Sequence, residues 1–447
     1  MSTATHHDGH HHANGPVTVP ATDASAVRRL ALIAAAVGIG AYLVLGFVNL
    51  GMSHHGTQDF FLAYLVGWVF ILFLPFGSMS LLMIGYLTTA SWQLVLRRSF
   101  QAATRTLPVV ALLGLPIVVS LFISVPAHDS AGSASATETA SPFWWADKTW
   151  TSDTAANIAA AKGMPELAVE ENQHKIHDYL NPTFFIVRFV LYFALWYTII
   201  HLLNKWGRRA EESDDANAQY NLKAISGPGV VAWGLSGTFA ITDWVMSVEP
   251  TWASSMFPVV FGMNSFISAI CIGVLTFYAL NAGKPDVLAI VKDKFRIDIG
   301  TLLFGFTMVW AYASFCQYML IWAGNLPEEI TYYRKRGDHG WEVLAYILMA
   351  FHWFLPFIVF LFREVKTSPR AMRRMAWLLL TVCALDVVWW IVPALPRPDG
   401  GLHAPMALAA VVGLFGVWGL VYAAQLGTRP LLPENRETEF LATWGGH

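Results

Sequence analysis

The sequence predicts an all-α polytopic membrane protein with about ten transmembrane helices, and three observations carry that reading. Hydrophobic residues make up 55% of the chain and charged residues only 13%, so there is more apolar surface than one soluble core can bury. The apolar residues gather into runs long enough to cross about 30 Å of hydrocarbon at about 1.5 Å per residue. Lys and Arg, finally, lie in short segments between those runs, a layout that excludes a basic nucleic-acid-binding face.

The runs fall at 30–50, 60–88, 107–125, 183–203, 225–246, 256–280, 298–323, 341–362, 374–394 and 404–425. The first follows a polar stretch and has no small-residue cleavage site, so it reads as a retained helix. With both termini cytoplasmic, 20 of the 28 Lys and Arg lie on the inner side, 7 on the outer side and Arg188 within a span. The positive-inside rule therefore favours ten spans with both ends inside. One segment runs against it: Arg334, Lys335 and Arg336 fall outside, beside Glu328, Glu329 and Asp338, which have the sign to pair with them.

This topology divides the chain into a cytoplasmic His-rich tail at 1–29, a membrane domain at 30–425 with one long periplasmic loop at 126–182, and a cytoplasmic tail at 426–447. The loop is rich in Ala, Ser and Thr and carries Trp144, Trp145 and Trp150, which suits interfacial anchoring, partner contact or a flexible surface segment. His6, His7, His10, His11 and His12 could chelate a metal, but a disordered tail is the preferred reading and no metal site is assigned. Cys271, Cys316 and Cys383 sit inside apolar runs without metal- or cluster-binding spacings and read as core thiols. The segment 204–224 carries both charge signs and is expected to extend the fourth helix into the cytoplasm before the punctuation at Gly227-Pro228-Gly229.

An ionisable group inside a span costs at least a few kcal/mol, which makes each one a functional candidate. These are Arg188, Asp243, His352 and Asp386, with Glu249, Glu328 and Glu329 near outer ends and Asp298 and His201 near inner ones. Asp243 precedes Pro250 by seven residues and Asp386 precedes Pro393 by seven, a match expected either from two related bundles or from chance. A b-type haem needs axial ligands at matching depth, and His352 is the one clear mid-membrane histidine, so no haem is expected. His352 lies four residues before Pro356 and, in its structural role, would bond the carbonyls that the proline frees. Pro75 and Pro116 also interrupt spans, and Gln317 and Asn325 either line a polar path or tie helices together.

Three stretches read together, DWVMSVEPTW at 243–252, QYMLIWAGNLPEE at 317–329 and HWFLPFIVFLFRE at 352–364, resemble the NrfD-like, polysulfide-reductase-type membrane family. Within it the chain is most similar to the haem-free, F-type membrane component of bacterial alternative complex III, a quinol:cytochrome c oxidoreductase. The match places Asp243, Glu249, Gln317, Asn325, Glu328, Glu329, His352 and Arg363 on positions typical of the family. The resemblance implies two four-helix bundles, spans 2–5 and 6–9, with spans 1 and 10 peripheral, in a bacterial inner membrane. It also implies partners: an iron–sulfur protein and c-type cytochromes that carry the clusters and haems, and a sister NrfD-like subunit that forms the quinol site with the iron–sulfur protein. This chain would then bind no redox cofactor, would contact lipid and quinone, and would support quinol oxidation and proton translocation.

Two further expectations follow from the residues. Asp243, His352 and Asp386, with Arg188 nearby and Asp298 and His201 toward the inner side, are read as a proton path; the competing structural role is an Arg188–Asp pair that locks a bundle. Glu249, Glu328 and Glu329 beside the basic stretch are read as partner contacts or as an internal ion-pair network. The other functions weighed are a quinone-site membrane anchor of a molybdenum or polysulfide reductase, a secondary transporter and a purely structural subunit.

Overall fold

A computed structural model describes residues 23–53, 55–88, 90–128, 134–146, 178–212, 216–250, 252–281, 291–338, 340–395 and 402–427. Among them nine helices are long and apolar enough to cross a membrane, and a helix pair bent by 43° makes ten if it is counted as one broken span. The chain is an all-α polytopic membrane protein. Its helices are α1 (Ser25–Met52), α2 (Gly56–Thr88), the bent pair α3 (Ser91–Thr104) and α4 (Leu107–Ser120), α5 (Pro182–Glu212), α6 (Ala216–Trp244) and α7 (Phe257–Leu280). They continue as α8 (Asp293–Gly324), the short α9 (Pro327–Arg336), α10 (Trp341–Leu361), α11 (Pro369–Ile391) and α12 (His403–Leu426).

Hydropathy explains which helix lies where. α2 is apolar on every face and is buried along nearly its whole length, the pattern of a helix surrounded by others. It packs with α3–α4, α5 and α6 into one four-helix bundle, while α7, α8, α10 and α11 form a second. The bundles meet along α2 and α7, where Gly77 lets the α2 backbone rest against the carbonyl of Ser265. α1 and α12 pair at the periphery through small residues: Gly38 meets Gly413, Gly416 meets Ala35 and Gly419 meets Ala31. Backbones that close can gain van der Waals contact without a hydrophobic driving force.

Three local readings change. The third span is not one helix over 107–125, because α3 and α4 meet at 43° and α4 ends at Ser120. α3 is amphipathic, burying Val95, Leu96 and Phe100 while Arg97 and Arg98 keep its hydropathy low. Gly227-Pro228-Gly229 does not punctuate anything either: α6 begins at Ala216 and runs through it. Ser226 Oγ bonds the Leu222 carbonyl at 2.6 Å, and Gly229 leaves room for Met83, so the proline is absorbed inside the helix. In α10 the residues Met349–Phe354 form a π-helical turn immediately before Pro356. Such a turn takes up the register lost to a proline and re-aims side chains.

After α4 the chain forms a two-stranded antiparallel hairpin, β1 (Ser124–His128) with β2 (Ala134–Thr139). It leads Trp145 onto Phe185 and Phe143, with ring centroids 5.6 and 5.5 Å apart, so Trp145 is buried against the first bundle rather than anchored in headgroups. The side chain of Trp144, Trp150, most of the 126–182 loop and the N-terminal histidines lie outside the described residues.

Candidate functional site

The in-span ionisable residues separate into two centres, one in each bundle. In the first, Arg188 on α5 grips Asp243 on α6 with both arms, Nε to Oδ2 at 2.7 Å and Nη2 to Oδ1 at 2.9 Å. Tyr192 donates to the same Oδ2 at 2.8 Å, and Arg188 Nη1 donates to the Tyr179 carbonyl at 3.0 Å. The guanidinium lies over the rings of Tyr179 and Phe184, 3.9 and 4.2 Å from their centroids. Burial pushes the Tyr179 phenol, just outside the span, up to about 12. Around this pair the bundle is filled with rings: Trp244 packs on Trp68, Phe189, Phe193 and Trp196. Of the two roles read for Arg188, the bundle lock is the one its geometry matches. A bidentate guanidinium–carboxylate pair with every arm used is a fixed structural element.

In the second bundle no Lys or Arg among the described residues pairs with the carboxylate. Asp386 on α11 accepts from Asn264 Nδ2 of α7 and Trp310 Nε1 of α8, both at 2.8 Å on Oδ2. His352, in the π-helical turn of α10, brings Nδ1 to 3.7 Å from that oxygen and Nε2 to 3.8 Å from Cys383 Sγ, while its ring stacks on Trp310 with centroids 3.8 Å apart. Four helices thus converge on one buried carboxylate. The His352 ring faces this centre and not the carbonyls released by Pro356, because the π turn has already accommodated the proline. Two buried polar atoms at the centre have no hydrogen-bond partner among the described residues, the acceptor Asn264 Oδ1 and His352 Nδ1, which donates or accepts according to the tautomer of the ring.

The remaining candidates have separate roles. Glu249, which follows α6, is buried and bridges the bundles by pairing with Lys335 at 2.8 Å and Arg336 at 3.2 Å on α9. Arg336 also donates to the carbonyls of Trp390 at 2.5 Å, Trp389 at 3.0 Å and Tyr332 at 2.8 Å. Lys335 and Arg336 of the basic stretch are thus paired with Glu249, which forms the internal ion-pair network of the two readings. Gln317 accepts from Ser254 at 2.9 Å and donates to Tyr333 at 3.1 Å, tying the α6–α7 segment to α8 and α9. Asn325 caps α8 in the left-handed conformation, φ 46°, which ends the helix. Glu329 is half-buried on α9; the side chain of Glu328 lies outside the described residues. Asp298 and His201 sit near the opposite end, half-buried on α8 and exposed on α5, and neither joins the Asp386 or Asp243 centre. Arg363 is exposed beyond α10 at that same end.

Sequence reasoning passed over Asn264 and Trp310, read Cys383 only as a core thiol, and passed over Asp59, which is buried at the start of α2. Asn49 Nδ2 donates to it at 3.2 Å, Ser53 Oγ at 3.3 Å, and His403 Nδ1 stands 3.6 Å away. An amide inside the apolar run of α7 was the available signal for Asn264, and an acid in the first turn of a helix that for Asp59. Nothing in the sequence marks Trp310 out from the other tryptophans.

No protein-family model matches the chain, and no curated protein matches it. Fold and site together therefore define a class: a multi-pass α-helical membrane protein of two four-helix bundles, one closed by an ion pair and one centred on a carboxylate that no Lys or Arg among the described residues pairs with.

Proposed function

We propose that the protein is a haem-free integral subunit of a respiratory quinol:cytochrome c oxidoreductase of the alternative complex III type, resident in a bacterial inner membrane with both termini cytoplasmic, and that it handles protons at Asp386. The resemblance of the three quoted stretches supplies the complex and its iron–sulfur, cytochrome and sister NrfD-like subunits. One observation supports the proton role: among the described residues Asp386 is held by the neutral donors Asn264 and Trp310, with two unpartnered polar atoms beside it. A proton arriving on the carboxyl meets Asn264 Oδ1, or His352 Nδ1 in the tautomer protonated on Nε2, without any other bond having to break. Asp243 offers no such freedom, since protonating it would strand Arg188. The proton path is accordingly drawn through Asp386 and His352, without Arg188 and Asp243.

The test is Asp386→Asn in the native complex, purified through this chain and placed in proteoliposomes. Quinol oxidation should continue while protons moved per electron fall. Unchanged proton yield in an assembled, active complex would end the proton role, and isolation of the chain without redox partners would end the assignment to the complex.

A further inference from the structure

The second bundle does not close along its whole length. α8 and α10 touch where Phe304 meets Phe357, ring centroids 6.0 Å apart, and their contacts thin out toward α9. The gap is a cleft of about 1020 Å³, at the top of the about 300–1,000 Å³ range of ligand pockets. Its shaft is aromatic, with Tyr312, Phe315 and Trp322 of α8 and Tyr346 of α10 lining it from faces that are exposed to the bilayer. α9 roofs the cleft and makes that end polar.

Under the roof the polar groups are unspent. Tyr332 O–H is fully buried without a partner, as is the Trp389 N–H, and both residues line the cleft. Glu249 pairs with Lys335 and Arg336, one carboxylate between two cations, and not with Arg334, which lines the mouth with no ion pair among the described residues. Glu342 lines it too, with Oε2 buried and unpartnered, and no ion pair joins it to Arg334. The site therefore presents a cation and an anion that do not pair with each other, two spare buried hydrogen-bond donors, and a mostly apolar shaft lined by aromatic side chains that are exposed on the surface of the chain.

That sequence of chemistry is the complement of one kind of molecule. We propose that the α8–α10 cleft binds a phospholipid with a primary-ammonium headgroup, its ammonium on Glu342, its phosphate on Arg334, its ester carbonyls toward Tyr332 and Trp389, and an acyl chain in the aromatic shaft. A trimethylated headgroup has no N–H to give Glu342, and a purely anionic one brings a like charge to it. Asp386 and Trp310 also line the cleft, but the lipid assignment is argued from Arg334, Glu342, Tyr332 and Trp389 and stands without the proton role or the redox assignment.

Native mass spectrometry of the full chain, delipidated and then offered phosphatidylethanolamine, phosphatidylcholine or phosphatidylglycerol, tests it. One phosphatidylethanolamine should survive activation that strips the other two. Arg334→Gln and Glu342→Gln should each weaken its retention about tenfold, and Ala345→Trp, which narrows the shaft and touches neither charge, should release it. Melting curves of each variant without lipid separate lost binding from lost folding. Equal retention of all three lipids, retention unaffected in correctly folded variants, or displacement by a short-chain quinone with no headgroup preference would overturn the proposal.

Discussion

The two bundles solve the same problem in opposite ways. Each buries an aspartate on its last helix, upstream of a 3₁₀ turn (Met246–Val248 after Asp243, Val392–Ala394 after Asp386) and of a proline seven residues on. The first bundle cancels its charge with Arg188 and fills the surroundings with tryptophan. The second supplies an amide, an indole and an imidazole, and leaves a cleft beside them. Neutralised charge makes a clamp, whereas charge solvated by neutral dipoles leaves a group whose protonation can change without dismantling the fold. Variants that exchange these features should therefore affect the bundles very unequally.

The largest loss should come from Arg188→Met. It leaves Asp243 buried with only Tyr192 as a donor, and breaking a buried pair from one side costs about 3–5 kcal/mol. Thermal melting in detergent should show a large fall in midpoint, and Arg188→Met combined with Asp243→Leu should recover much of it. A single variant as stable as wild type would mean that the pair is not a clamp.

Asp386→Leu should come next. The Asn264 N–H and Trp310 N–H lose their acceptor, at about 1–3 kcal/mol for a buried unsatisfied group, but no charge is stranded. The melting midpoint should fall less than for Arg188→Met, and a larger fall would reverse the ranking. Lys335→Ala should cost no more than about 1 kcal/mol, because Lys335 is a third exposed and Arg336 still holds Glu249 at 3.2 Å between the bundles. Chemical denaturation can resolve that difference, and a loss comparable to that of Asp386→Leu would show that Lys335 fastens the bundles together.

How much of this was readable from the residues depends on the kind of interaction. Spans follow from hydropathy, so their number survived, and α3 escaped because Arg97 and Arg98 dilute a helix that is nevertheless packed. The Arg188–Asp243 pair was foreseeable, since a charge inside a membrane needs its opposite and few are present. The Asp386 centre was only half visible: the ionisable residues Asp386 and His352 announce themselves, whereas Asn264 and Trp310 acquire meaning only when α7 and α8 are set beside α11. Arg336 shows the same limit from the other side, because a basic triplet in a short loop looks solvated until the fold lays α9 over Glu249.

The smallest expected effect is the most discriminating. Asparagine at 386 keeps the oxygen that accepts from Asn264 and Trp310, and its amide N–H can satisfy Asn264 Oδ1, now without a donor, or His352 Nδ1 in the tautomer protonated on Nε2. It thus copies the shape and hydrogen bonds of a protonated aspartic acid while fixing it in that state. Stability should change by less than about 0.5 kcal/mol, within the range of neutral substitutions. Asp243→Asn has the same change in atoms and the opposite surroundings: it strands the Arg188 guanidinium, which keeps only one amide oxygen, the Tyr179 carbonyl and two ring faces, and it should melt well below Asp386→Asn. Measuring the two midpoints side by side isolates the one variable that separates the bundles, the presence of a cation. If the two asparagine variants melt together, the contrast between a charge-neutralised and a dipole-solvated carboxylate is not what distinguishes them, and Asp386 loses its claim to exchange protons freely.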